Sequence, residues 1–159
     1  MEAETSSKRL NSVLESKGAK YLALGHLLIE AIPSDLIGER NQGHDIISVN
    51  PEDDRSCRIK VKSRWSALGS HKVYFRSLDF DFAVIVLLNR GNPHGRRARE
   101  DPSGVEPPDL YIVPVAEVAR FHRGEDPSGF RFLITDIDGY GRFCGAWSLI
   151  REFLGMESA

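Results

Sequence analysis

The sequence predicts an α/β domain in which a long N-terminal helix precedes a β-sheet and a second helix closes the chain. Three patterns carry this expectation. Apolar side chains recur at three- and four-residue steps across residues 7–31, they alternate with cations across 57–62, and they run almost unbroken across 80–88.

In the first segment Leu10, Leu14, Tyr21, Leu24 and Leu28 form a stripe that Val13 and Leu27 widen, the signature of a helix burying one face. Ser6 or Ser7 can cap its start, and Pro33 ends it because the residue before a proline leaves the α region. Gly18 and Gly25 each weaken the interior by ~1 kcal/mol relative to alanine, so they mark close packing or a break. A short extended piece at 36–39 and a polar turn at 40–43 lead into a strand at 45–50. The turn at 51–56 then returns the chain into a second strand at 57–62, which makes a hairpin. In that second strand Cys57, Ile59 and Val61 share one face, while Arg58, Lys60 and Lys62 share the other.

The run at 80–88 reads as a central strand buried on both faces. The polar stretch at 89–109 is too long for an ordinary connection and is expected to be a mobile loop; it carries a basic run at 94–99 beside Glu100 and Asp101. A strand at 110–114, a short helix at 115–121, a last strand at 130–134 and a helix at 146–154 complete the order. Trp147, Ile150, Phe153 and Leu154 supply the apolar face of that last helix. No internal repeat stands out, and 159 residues fit one domain spanning 1–159.

Hydrophobic residues make up 41% and charged residues 28%, as in ordinary globular chains, and the formal charge is −2. Any contact with nucleic acid must therefore come from a local basic patch. Cys57 and Cys144 match no zinc spacing and read as reduced, buried thiols. The acidic, polar start resembles neither a signal nor a transit peptide, and no apolar run approaches the ~18 residues that span a bilayer. A cytoplasmic location with no membrane partner follows by elimination. His26, His44, His71, His94 and His122 show no ligand spacing and read as surface or core residues.

The stretch from Gly43 through Asp45 to Pro51, followed by Arg58, Lys60, Lys62 and Arg64, resembles the PD-(D/E)xK nuclease superfamily. The nearest likeness is to its small Holliday-junction-resolvase-like and uncharacterised bacterial members. The resemblance implies a restriction-endonuclease-like mixed β-sheet with an N-terminal and a C-terminal helix packed on it. It covers most of the chain in outline, but about twenty residues carry it specifically. Asp45 fits the motif aspartate and Lys62 the motif lysine. Lys60 stands where the acidic partner belongs, Lys20 stands near the place of the helix glutamate, and His44 precedes the aspartate.

Such nucleases need a hard divalent cation, Mg²⁺ here, held by converging carboxylates to polarise the phosphate and acidify a bound water. Asp45 is the candidate metal ligand, and Asp45, Lys62 and Lys60 are the candidate catalytic residues, if activity is retained. At ~4 Å and an effective dielectric of ~20, one charge pair is worth about 4 kcal/mol, so a lysine in place of a carboxylate penalises a dication heavily. Asp54 at the hairpin tip is six residues, ~20 Å, from Lys60 and cannot fill in. Glu15 lies ~140° round an unbroken helix from Lys20 and is expected to face elsewhere. Glu30 is the other displaced candidate.

An ammonium at Lys60 can instead occupy the metal's space and hold a phosphate as a point charge. On this view Arg58, Arg64 and Lys20, with Lys60 and Lys62, form a strip for nucleic acid or another phosphorylated partner. The plainer account is that alternating cations form a solvated strand face, that Asp45 simply opens a strand after a glycine, and that Trp65 anchors a loop rather than stacking on a base. Three functions are compatible with the residues: a binding protein whose cleavage is lost or unorthodox, a working Mg²⁺-dependent endonuclease, and a protein-interaction module of a bacterial defence or mobile-element system.

Overall fold

The computed structural model describes residues 12–38, 43–65, 72–90, 105–124 and 128–157. The expected caps at Ser6 and Ser7, the turn residues 40–42, His71, His94 and the basic run at 94–99 lie outside them.

Helix α1 (Ser12–Ile29) is followed by β1 (Ser34–Leu36), β2 (Ile46–Val49), β3 (Ser56–Arg64), β4 (Val73–Phe75), β5 (Phe82–Leu87) and β6 (Asp109–Pro114). Helix α2 (Val115–Ala119), β7 (Phe130–Phe132), two short 3₁₀ turns and α3 (Ser148–Phe153) complete the chain. Five strands form one mixed sheet in the order β1-β2-β3-β5-β6, with β3 parallel to β5 and every other neighbour antiparallel. The α/β architecture with a helix from each end of the chain against a mixed sheet is as the sequence implies.

The hairpin forms as expected: Asn50 Oδ1 accepts the Glu52 N–H at 2.9 Å, and Asn50 Nδ2 donates to the Leu154 carbonyl at 2.9 Å, tying the turn to the end of α3. Strand β5 is buried along its whole length. Its Phe82, Val84 and Val86 join Cys57, Ile59 and Val61 of β3 in a core beneath α1 and α3. Ala83, Ile85 and Leu87 face the other core, beneath α2 and a two-stranded sheet of β4 and β7.

One expectation is overturned at α1. The helix meets the sheet through Ala19, Ala23 and Leu27, whereas Val13, Leu14, Tyr21 and Leu28 are exposed. Two members of the expected stripe do face inward, Leu27 buried and Leu24 packed against the core beside Leu22, while alanine at 19 and 23 lets the helix approach the sheet closely and Leu14, Tyr21 and Leu28 are left on the opposite side. Gly18 marks no break, since α1 runs through it. The helix ends in a turn where Ala31 has φ 59° and the Ile32 N–H donates to the Leu27 carbonyl at 2.9 Å. Two smaller corrections follow: Cys144 is exposed rather than buried, and β4 has no counterpart in the expected order. The base of the 89–109 connection is pinned, with Asn89 Nδ2 donating to the Pro107 carbonyl and to Asp109 Oδ2, each at 2.9 Å. Among the described residues no helix is long and apolar enough to cross a membrane.

Candidate nucleic-acid interface

Strand β2 runs out before β3 does. It pairs with β3 only as far as Ile59, so among the described residues no strand lies beside β3 on that side from Lys60 onward. Asp45, the residue just ahead of β2, reaches across the gap. Its N–H donates to the Ile59 carbonyl at 2.8 Å, and its Oδ2 accepts the Val61 N–H at 2.8 Å. The carboxylate thus satisfies a ladder donor that a longer β2 would have paired.

Each oxygen of that buried carboxylate also faces an ammonium. Lys20 Nζ, arriving from α1, lies 3.4 Å from Oδ1, and Lys60 Nζ, from β3, lies 3.6 Å from Oδ2. Lys60 stands where the sequence resemblance implies an acidic residue, and Lys20 stands near the place where it implies another. Beside them is a cleft of about 210 Å³ lined by Ser12, Glu15, Lys20, Asp45, Lys60, Lys62 and Arg64, among others. Four cationic side chains there meet two carboxylates, so the cleft is net positive.

Lys60 and Lys62 also line a second cavity of about 110 Å³, shared with Gly43, Tyr74, Phe75, Arg76 and Ser77. The rim is tight at Gly43, where a Cβ would come within 2.5 Å of Asp79 Oδ2 and 3.0 Å of the Asp79 carbonyl, so any larger residue must displace Asp79. Lys62 Nζ sits 5.9 Å from the centre of the Tyr74 ring and 5.5 Å from that of Phe75. Burial, and then the neighbouring Lys60, bring its pKa down to about 8; Arg64 and Arg76 act in the same direction, while Asp45 opposes them. The ammonium is still mostly protonated at neutral pH. Sequence reasoning does not single out Tyr74 and Arg76, although the alternation of Val73 and Phe75 with polar neighbours marks a strand there.

Arg58 is arranged differently from the rest of the strip. Its guanidinium pairs with Asp79 through Nη1 and with Asp81 through Nη2 at 3.3 Å, and its backbone N–H donates to Asp81 Oδ2 at 2.8 Å. Its charge is answered inside the protein, and the Asp81 carboxylate beside it, first through its hydrogen bond and then through its charge, raises its pKa. Arg64 donates from Nε to the Lys72 carbonyl at 2.7 Å and from Nη1 to the Ser63 carbonyl at 2.8 Å.

Glu15 lines the cleft with Asp45, contrary to the expectation that an unbroken helix turns it away, because Ser12, Ser16 and Lys20 carry the same flank of α1 along the edge of β3. Glu30 lies ten residues beyond Lys20, ~15 Å along the axis. His44 is buried, and its Nδ1 has no hydrogen-bond partner among the described residues. His26 stacks on Trp147, and His122 meets Phe130 edge-on. Trp65 is half-buried. Among the described residues no three His, Cys, Asp or Glu side chains converge as metal ligands. With both oxygens of Asp45 faced by ammonium groups, this donor set does not fit a hard dication.

No family model matches the chain, and neither does any curated protein. Among solved structures, the chain is similar to the bacterial homing endonuclease I-Ssp6803I, with a TM-score of 0.58 and 15% sequence identity. The match covers 89% of this chain and 94% of that one. At that identity the likeness is one of fold: the chain has a nuclease-like fold.

Proposed function

We propose that this chain is a degenerate PD-(D/E)xK protein that binds nucleic acid, or another phosphorylated partner, at the open edge of β3, without metal-dependent cleavage. One observation carries the reading: Lys20 and Lys60 place their ammonium groups 3.4 and 3.6 Å from the two oxygens of Asp45. Two lysines thus stand where a metal would draw its charge. They supply positive charge to a phosphate but cannot acidify a bound water as a dication does. Lys62 and Arg76 extend the positive surface into the smaller cavity, whose Tyr74 and Phe75 rings offer an apolar wall. The similarity to a homing endonuclease supports nucleic acid as the partner.

Fluorescence anisotropy with labelled duplex, single-stranded and branched DNA and RNA tests this. Binding is expected in EDTA as in Mg²⁺, with log K falling linearly against log salt at a slope of about −0.9 per phosphate contact on duplex DNA. A second reading, a working endonuclease using Asp45, Lys62 and Glu15, draws on the presence of Glu15 in the same cleft. Mg²⁺-dependent cutting that Asp45→Ala abolishes would establish it and end the first. Absence of affinity for every nucleic acid tested would leave the protein-interaction module.

A further inference from the structure

We infer that α1 is the contact surface of a homodimer, formed by antiparallel packing of its outward face against the same face of a second copy. At 100° per residue, positions 14, 18, 21, 25 and 28 fall within about 80° of arc. This is the side opposite buried Ala19, Ala23 and Leu27. Three of the five are large and apolar and are exposed to an unusual degree: Leu14 by 63%, Tyr21 by 55% and Leu28 by 52%. The other two are Gly18 and Gly25, where an added Cβ would meet nothing within 4 Å. Among the described residues no contact inside the subunit requires either glycine, and each weakens the helix. Their placement between the large side chains has a use only if something packs there.

The alternation is self-complementary. In an antiparallel pair, the register that sets Leu14 against Gly25 of the second copy also sets Tyr21 against its Gly18. The same two contacts recur with the copies exchanged, which is the condition for an isologous two-fold interface. A parallel pair would set like against like. Side chains on this face, with flanking Ile29, expose on the order of 500 Å² per copy, so their complete burial in a pair removes about 1,000 Å² in total, the size of a weak, concentration-dependent interface. The chain holds little else to cover the stripe. Outside the described segments its large apolar residues are Met1, Leu10 and Leu68.

Sedimentation equilibrium of the full chain, from low micromolar to several hundred micromolar, reads the association. The expected result is a dimer that Gly25→Leu and Leu14→Asp each weaken at least ~tenfold. Circular dichroism and thermal melting should show the subunit fold kept, since both positions are open in the subunit. In a Cys144→Ser background, a mixture of Leu14→Cys and Gly25→Cys proteins should cross-link, whereas each alone should not. A monomer throughout the series overturns the proposal. So does a dimer that neither substitution weakens, or one whose cross-link fails in the mixture.

Discussion

Lys60 and Asp45 face each other beside the start of β2, with Nζ 3.6 Å from Oδ2, and the same oxygen accepts the Val61 N–H at 2.8 Å. One carboxylate therefore closes a sheet edge and neutralises a lysine at once. Asp45→Ala leaves a ladder donor unpaired and two ammonium groups without their counter-charge, and is expected to cost about 2–4 kcal/mol in urea unfolding. Asp45→Asn keeps an acceptor and should cost less. Because it also removes a negative charge from the cleft, it is expected to tighten duplex binding by about three- to tenfold. Weaker binding by Asp45→Asn would show that the carboxylate itself serves the ligand.

The double substitution Lys20→Glu and Lys60→Glu puts carboxylates at the two positions now facing Asp45. The site then offers three acidic side chains from α1, the start of β2 and β3, and should gain affinity for Mn²⁺ or Mg²⁺. At a metal concentration a hundred times Kd, ligand linkage adds about 2.7 kcal/mol, a rise in Tm of roughly 5–10 °C for a chain of this size. The unsubstituted protein is expected to show no such rise in the same thermal-shift series. Equal shifts in both proteins would place the metal elsewhere.

Lys62 gives the interface a pH dependence. Its pKa is lowered from 10.5 to about 8, so between those values the unfolded chain holds the additional proton and stability rises with pH. Phosphate binding runs the other way, since it needs the ammonium: duplex affinity should fall as pH rises through about 8. Lys62→Arg keeps the charge and should flatten that profile. A profile unchanged by Lys62→Arg would assign the titration to another group.

How far the sequence reveals this arrangement depends on the length scale of each signal. The alternation through Cys57, Ile59 and Val61 and the run at β5 are local and bury as the pattern requires. The inward face of α1 is legible only in part: the pattern finds Leu24 and Leu27 but passes over Ala19 and Ala23, which a close helix–sheet contact selects. Asp45, Lys60 and Lys20 can be singled out one by one, but their meeting depends on where β2 starts against β3, which no periodicity encodes. The pairing of Arg58 with Asp79 and Asp81 spans more than twenty residues and was equally hidden, even though Asp79 and Asp81 alternate with Phe80 and Phe82 in plain view.

That pairing separates Arg58 from the other cations in a measurable way. With two carboxylates on its guanidinium, Arg58 has little charge left for a phosphate. Arg58→Ala is expected to lower stability by about 0.5–1 kcal/mol, the range for partly exposed pairs, and to leave the salt slope of duplex binding unchanged. Lys62→Ala should do the reverse, since its ammonium has no ion pair among the described residues: the slope becomes shallower by about 0.9 for one lost phosphate contact. Parallel salt titrations of the two variants check this. A shallower slope for Arg58→Ala would mean that Asp79 and Asp81 release the guanidinium when nucleic acid binds, so that the whole of the β3 strip takes part.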